Sequence, residues 1–149
     1  MVKILFVCHG NICRSVMGEY ILRDMVRRAG REREFEIDSA AVSREEIGNP
    51  IYPPAERELR RRGVPVGNHR ARQITMADYN HFDRIYYMDA GNARYLKRML
   101  PEDPEKIRPL LEKEVADPWY TGGFGEAFED IEKGCRALFE VLRADGKAE

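Results

Sequence analysis

The sequence predicts an α/β chain: a doubly wound, four-stranded parallel sheet with helices on both faces. Two observations predict it. The opening run Val2-Lys3-Ile4-Leu5-Phe6-Val7 is apolar on both faces apart from Lys3, the pattern of a strand buried between two layers of a parallel sheet. Behind it, strand-like segments alternate with segments of helical period, and strand-helix-strand repeats close as right-handed crossovers. At 149 residues the chain fits one domain, 1–149, that can bury a core without disulfide staples.

Each element follows from its local pattern. After the first strand, Met17, Ile21, Met25 and Ala29, with Leu22 and Val26 alongside, form a helical stripe closed by Gly30. Glu19 lies early on it and Arg27 and Arg28 late, as the helix dipole prefers. Residues 35–40, Phe-Glu-Ile-Asp-Ser-Ala, alternate as a second strand. The segment 43–54 reads as a loop because it carries Gly48, Asn49, Pro50, Pro53 and Pro54. A basic helix is expected over 55–62; Glu56 and Glu58 interleave with Arg57, Arg60, Arg61 and Arg62, which describes a solvated face better than a nucleic-acid patch.

Thr75 and Asp78 are spaced as a capping box at a helix start. Residues 84–88 form the third strand, followed by a helix over 93–100. Residues 107–111 form a short fourth strand that Pro109 places at an edge. A last helix carries Phe124, Phe128, Ile131, Cys135, Leu138 and Leu142 at steps of three and four, ends near Arg143, and leaves a frayed tail after about 144. The expected strand order is flavodoxin-like. Ligands on such sheets bind outside the carboxyl ends of the strands.

Composition narrows the function. Lys and Arg total 25 against 26 Asp and Glu, for a net charge of -1, so no global field favours nucleic acid or a membrane surface. Three cysteines, an odd number, argue against a secreted disulfide framework and for a reducing cytosol. The apolar opening lacks a basic lead and a cleavage site, unlike a signal peptide, and no stretch approaches the roughly 20 apolar residues that span a bilayer. The expected protein is cytoplasmic and monomeric, with weak self-association left open.

Chemistry concentrates where the first strand ends, in Cys8-His9-Gly10-Asn11-Ile12-Cys13-Arg14-Ser15. A thiol becomes a useful nucleophile when a cation and a helix N-terminus stabilise its thiolate. Cys8 has Arg14 six positions on and a helix beginning around Ser15. A loop curled between them turns its backbone N–H groups inward as a cradle for a tetrahedral dianion, and a guanidinium adds two parallel donors that Lys lacks. Cys8 attacking phosphorus forms a thiophosphate and splits one difficult hydrolysis into two displacements. That route needs an acid for the leaving oxygen and a base for water. Asp117, opening Asp117-Pro118-Trp119-Tyr120-Thr121-Gly122-Gly123, is the candidate; the run is a rigid turn whose rings, Trp119 and Tyr120, suit an aryl pocket.

These motifs resemble the low-molecular-weight protein tyrosine phosphatases. Cys8-x-Gly10-Asn11-Ile12-Cys13-Arg14-Ser15 is similar to that family's phosphate loop, and Asp117-Pro118-Trp119-Tyr120 to its acid loop. Asp38-Ser39-Ala40, Ala71-Arg72-Gln73-Ile74-Thr75 and Met88-Asp89-x-x-Asn92 fit as well, so the resemblance covers essentially the whole chain. It implies Cys8 as nucleophile, Arg14 as phosphate clamp, and Asp117 as general acid and then base. It implies that Ser15 hydrogen-bonds the Cys8 sulfur, that Asn11, Ser39 and His69 brace the loop, and that Asp89 orients His69. Plainer roles stand beside these: Asp89 serves equally as a helix N-cap, and His69 as an ordinary loop histidine. The implied substrate is a phosphotyrosine-containing protein.

The chain departs from the pattern at two places. Glu45 occupies the pocket-wall position where relatives often carry an aromatic, and Tyr52 stands where an Asp is common. An acidic wall repels acidic phosphopeptides, and Tyr52 is a candidate for the missing ring. Cys13 is a candidate redox partner that would shield Cys8 as a disulfide; the alternative is a small residue packed beneath the loop.

Rival readings are weaker. Arsenate reductases of this type need a downstream cysteine pair, and only Cys135, on an apolar stripe, follows. Phosphoarginine phosphatases resemble the loop but carry Thr where this chain has Ile12, and an apolar Ile12 favours an aryl ester. A phosphate-binding but inactive relative is disfavoured by intact Cys8, Arg14 and Asp117. Cys8, His9 and Cys13 lack a second cluster to complete four metal ligands, so neither metal nor cofactor is expected.

Overall fold

The computed structural model describes residues 1–148, with side-chain surroundings through Arg143. Four strands, β1 (Val2–Cys8), β2 (Phe35–Ala41), β3 (Arg84–Tyr87) and β4 (Ile107–Pro109), form one sheet in the order β2-β1-β3-β4. Every neighbouring pair is parallel. This is the flavodoxin-like arrangement expected from the alternation of strands and helices.

Around the sheet lie α1 (Arg14–Arg28), α2 (Pro53–Arg61), α3 (Met76–His81), α4 (Ala90–Met99), α5 (Pro118–Thr121) and α6 (Phe124–Ala148). Because successive side chains of a strand point to opposite faces, β1 feeds both layers. Ile4, Phe6 and Cys8 pack with α1, α2 and α6 through Met17, Ile21, Leu59, Phe128 and Ile131. Leu5 and Val7 pack with Ile74, Phe82, Leu96 and Leu100 on the other face. Ile4 to Val7 are all fully buried, each burial favouring the fold by about 1.5–3 kcal/mol. That two-sided load makes β1 the centre of the sheet and fixes where its last residue, Cys8, emerges.

Several boundaries differ from the sequence reading. Helix α2 starts at Pro53, because proline fits a first helical turn where its missing N–H costs nothing. Helix α4 starts at Ala90, because Asp89 and Asn92 form a reciprocal capping box. The expected box of Thr75 and Asp78 caps α3. Strand β4 has only three residues and ends at the edge proline. The 118–121 segment forms the single-turn helix α5 with Asp117 as its cap, where a plain turn was expected. Helix α6 runs to Ala148, beyond Arg143; the side chains of the tail expected to fray after 144 lie outside the described residues. Among the described residues, no helix is long and apolar enough to cross a membrane.

Candidate active site

The loop between β1 and α1 is held from three sides. Its centre, Asn11, is fully buried and adopts φ 61°, a left-handed conformation that Asn tolerates better than most residues. The main-chain N–H of Arg72 donates to Asn11 Oδ1 at 3.1 Å, which leaves Asn11 Nδ2 facing Ser15 Oγ at 2.7 Å. His69 Nε2 lies 2.6 Å from the Asn11 carbonyl oxygen, so this nitrogen carries the proton and donates. The N–H of Tyr52 donates to the Ile12 carbonyl at 2.9 Å. Ser15 Oγ also accepts from the Cys8 thiol at 3.0 Å; once the sulfur is a thiolate, the Ser15 hydroxyl can donate back to it. The N–H of Asn11 points at the same sulfur from 3.4 Å. Ser15 Oγ and the Asn11 N–H thus both lie against the Cys8 sulfur.

Arg14, only 2% exposed, forms the floor. Its Nη1 donates to Asp89 Oδ2 at 2.7 Å and to the Val115 carbonyl at 2.8 Å, and its Nη2 donates to Asp117 Oδ2 at 3.4 Å. A guanidinium has five N–H donors. Both on Nη1 and one on Nη2 are engaged, so Nε and the second Nη2 hydrogen form a side-on fork suited to two oxygens of a phosphate. Burial would lower the Arg14 pKa, but the adjacent Cys8, Asp89 and Asp117 outweigh it and raise it. For Asp89, burial would raise the carboxyl pKa, yet hydrogen bonds from Arg14 and from the start of α4 hold it below its ordinary value.

Asp117 reaches this floor from the opposite end of the chain. It caps α5, its Oδ1 accepting from the Trp119 N–H at 3.1 Å. Cys8, His9, Gly10, Ile12, Cys13, Arg14, Glu45, Glu46, Asp117, Trp119 and Tyr120 line one cleft. Trp119 and Tyr120 are exposed at its mouth. Among the described residues, no group of three or more His, Cys, Asp or Glu could hold a metal ion.

The structure places several sequence-predicted residues differently. Asp89 does not meet His69: it accepts from Arg14 and caps α4, while His69 bonds the Asn11 carbonyl. Ser39 does not touch the loop; its hydroxyl donates to Glu19 Oε1 at 2.6 Å. Glu19 is accordingly buried against β2 and paired with Arg23, and burial raises its pKa despite the Ser39 bond. Tyr52 is not among the residues that line the cleft; its ring packs against those of Trp119 and Phe124. Glu45 does line the cleft, and pairs with His9 at 3.0 Å. Cys8 and Cys13 are both reduced. Burial, reinforced by Cys8, pushes the Cys13 pKa up and keeps it a neutral thiol.

Sequence reasoning missed Glu46, Arg72 and the Val115 carbonyl. Glu46 adjoins the Glu45 that was identified. Arg72 belongs to a recognised motif, but its ion pairs with Asp38 and Asp78 join three separate segments. A backbone carbonyl carries no signal in residue identity.

A loop thiol bonded to a serine and a backbone N–H, a buried guanidinium and a helix-capping carboxylate at the carboxyl ends of a parallel sheet are the parts of a cysteine-dependent phosphomonoester hydrolase. The comparisons agree. Residues 3–148 match the family model described as low molecular weight phosphotyrosine protein phosphatase. The chain is 37% identical over 153 residues to the low molecular weight protein-tyrosine-phosphatase YfkJ of Bacillus subtilis, covering 97% of this chain and 98% of that one. It is 36% identical over 149 residues to the human low molecular weight phosphotyrosine protein phosphatase, covering 93% and 94%. The crystal structure of YfkJ superposes with a TM-score of 0.92 over 97% of this chain and 96% of that one. A protein tyrosine phosphatase from Entamoeba histolytica, 28% identical, superposes at 0.90 over 97% and 99%. The chain belongs to the low molecular weight phosphotyrosine protein phosphatase family.

Proposed function

We propose that this chain, acting as a single domain, hydrolyses phosphotyrosine in proteins and related aryl phosphate monoesters through a cysteinyl-phosphate intermediate. The observation that carries the reading is the meeting of Cys8, Arg14 and Asp117 in one cleft. The phosphate dianion sits against the loop N–H groups and the free fork of Arg14. The Cys8 thiolate attacks phosphorus, forming the S–P bond while the bond to the aryl oxygen breaks. Asp117, as the acid, gives its proton to that oxygen. Asp117, now a carboxylate, takes a proton from water as the water oxygen bonds phosphorus. The S–P bond breaks and the sulfur leaves as a thiolate, its charge met by the Ser15 hydroxyl and the Asn11 N–H. Ile12 on the cleft wall favours the apolar ring of tyrosine over a guanidinium.

Steady-state assay of p-nitrophenyl phosphate and of phosphotyrosine, phosphoserine and phosphoarginine peptides tests this, with Cys8→Ser and Asp117→Ala as controls. Hydrolysis of the aryl esters is expected, with none in Cys8→Ser and a loss on the order of 10²–10⁴-fold in Asp117→Ala, the range for removing a general acid–base. Unchanged turnover in Cys8→Ser overturns the mechanism.

A further inference from the structure

Tyr52 touches both halves of the site without entering it. Its N–H is bonded to the Ile12 carbonyl at 2.9 Å, which ties residue 52 to the phosphate-binding loop, and its ring packs against the small cluster of Ile12, Cys13 and Ala71. From there the ring reaches the acid segment at two points. Its centroid lies 4.6 Å from that of Trp119, at 46°, and 5.9 Å from that of Phe124, at 37°. Trp119 is two residues beyond Asp117, and Phe124 opens α6. Between them the chain passes through Gly122, at φ 75°, and Gly123. Helix α5 is a single turn of four residues, and so short a helix has little stability of its own.

We propose that Tyr52 is a positioning residue that clasps the acid loop to the nucleophile loop and thereby sets how often Asp117 stands over Cys8. The proposal rests on the phosphatase reading. Contacts between aromatic rings favour an arrangement severalfold to about tenfold beyond what area burial gives, enough to shift a loop between held and released populations. Tyr52 is absent from the cleft lining, so its effect falls on protonation of the leaving group and not on contact with the phosphate.

The test compares Tyr52→Ala and Tyr52→Phe with the parent on p-nitrophenyl phosphate, whose phenol departs readily, and phenyl phosphate, whose phenol needs the acid. Tyr52→Ala is expected to lose about tenfold more kcat/KM, which reports only the steps through departure of the aryl oxygen, on phenyl phosphate than on p-nitrophenyl phosphate, with Tyr52→Phe close to the parent on both. Equal losses of kcat/KM on the two esters, or no loss, overturn the proposal. Trp119 is the only tryptophan of the chain, so its fluorescence reads the clasp without catalysis. Acrylamide quenching is expected to rise in Tyr52→Ala and not in Tyr52→Phe, and identical quenching in the parent and Tyr52→Ala overturns the clasp. If the parent hydrolyses neither ester, the phosphatase reading and the proposed catalytic effect of Tyr52 both fail. In that case quenching alone decides whether the packing contact exists.

Discussion

Arg14 Nη1 donates to Asp89 Oδ2 at 2.7 Å while Asp89 Oδ1 accepts from the Asn92 N–H at 2.8 Å, so one carboxylate both anchors the phosphate clamp and caps α4. The two roles separate by substitution. Asn caps as well as Asp but carries no charge to form an ion pair with a guanidinium. Asp89→Asn is therefore expected to keep α4 yet lower kcat/KM about tenfold or more, because Arg14 loses a charge-assisted partner. Asp89→Ala should lose the cap as well, about 1 kcal/mol. Urea unfolding beside steady-state kinetics checks both. Equal kinetics in Asp89→Asn and the parent would mean that the Val115 carbonyl and Asp117 suffice to hold Arg14.

Glu45 predicts a charge preference at the cleft mouth. It is largely exposed, and His9 is its partner at 3.0 Å; such a surface pair is worth at most about 1 kcal/mol. A phosphotyrosine peptide flanked by arginines is expected to show severalfold higher kcat/KM than one flanked by glutamates, the difference shrinking as salt shortens the Debye length. Glu45→Lys should invert the order. A parent that treats both peptides alike at low salt removes Glu45 from the determinants of specificity.

The limits of the sequence reading follow from the range of the interactions. The strand-loop-helix opening was legible because apolar runs, helical stripes and the Cys-to-Arg spacing are local patterns. Asp117 was legible only beside the Cys-to-Arg motif, because an Asp-Pro by itself is more often a plain turn. His69 bracing the loop and Asp89 capping a helix were also expected, and both are present; the bond of Asp89 to Arg14 and the roles of Ser39 and Tyr52 were not, because each is set by a partner from a distant segment: Arg14, Glu19 and Trp119 respectively. Tyr52 was read by its chemistry as a ring that could face substrate, whereas its packing turns the ring against the acid loop.

His69 gives a pH dependence with a definite sign. Burial lowers its pKa below the ordinary histidine value, against the raising effect of its bond to the Asn11 carbonyl. The unfolded chain therefore binds the proton more readily than the folded one. Stability is fully present above the unfolded value and falls as pH drops through it toward the folded value. From roughly pH 7 down to pH 5, the parent should lose more stability than His69→Gln, which keeps a donor but does not titrate. Urea midpoints at the two pH values measure the difference, and parallel losses in both proteins would clear His69 of the effect.

Cys13 is a neutral, buried thiol on the nucleophile's own loop. Peroxide oxidises the Cys8 thiolate to a sulfenic acid. Attack by Cys13 sulfur would then form the disulfide and release water, a state that thiol reductants reverse. After a peroxide pulse and reductant, the parent is expected to regain most activity and Cys13→Ser distinctly less. Equal recovery would leave Cys13 as a packing residue.

The close approach of α1 to β1 sets a last expectation. An added Cβ at Gly18 would stand 2.8 Å from Cδ1 of Phe6, whose ring is fully buried beneath the helix. Alanine in a helix normally gains about 1 kcal/mol over glycine, but forcing a methyl into a packed core costs about 1–3 kcal/mol. Phe6 is fully buried in the core, so the overpacking term should win. Gly18→Ala is expected to lower Tm by roughly 3 °C, because α1 must lift from the strand that ends in Cys8. Differential scanning calorimetry of the variant decides it: an unchanged or raised Tm would mean that Phe6 rotates away and the helix-propensity gain prevails.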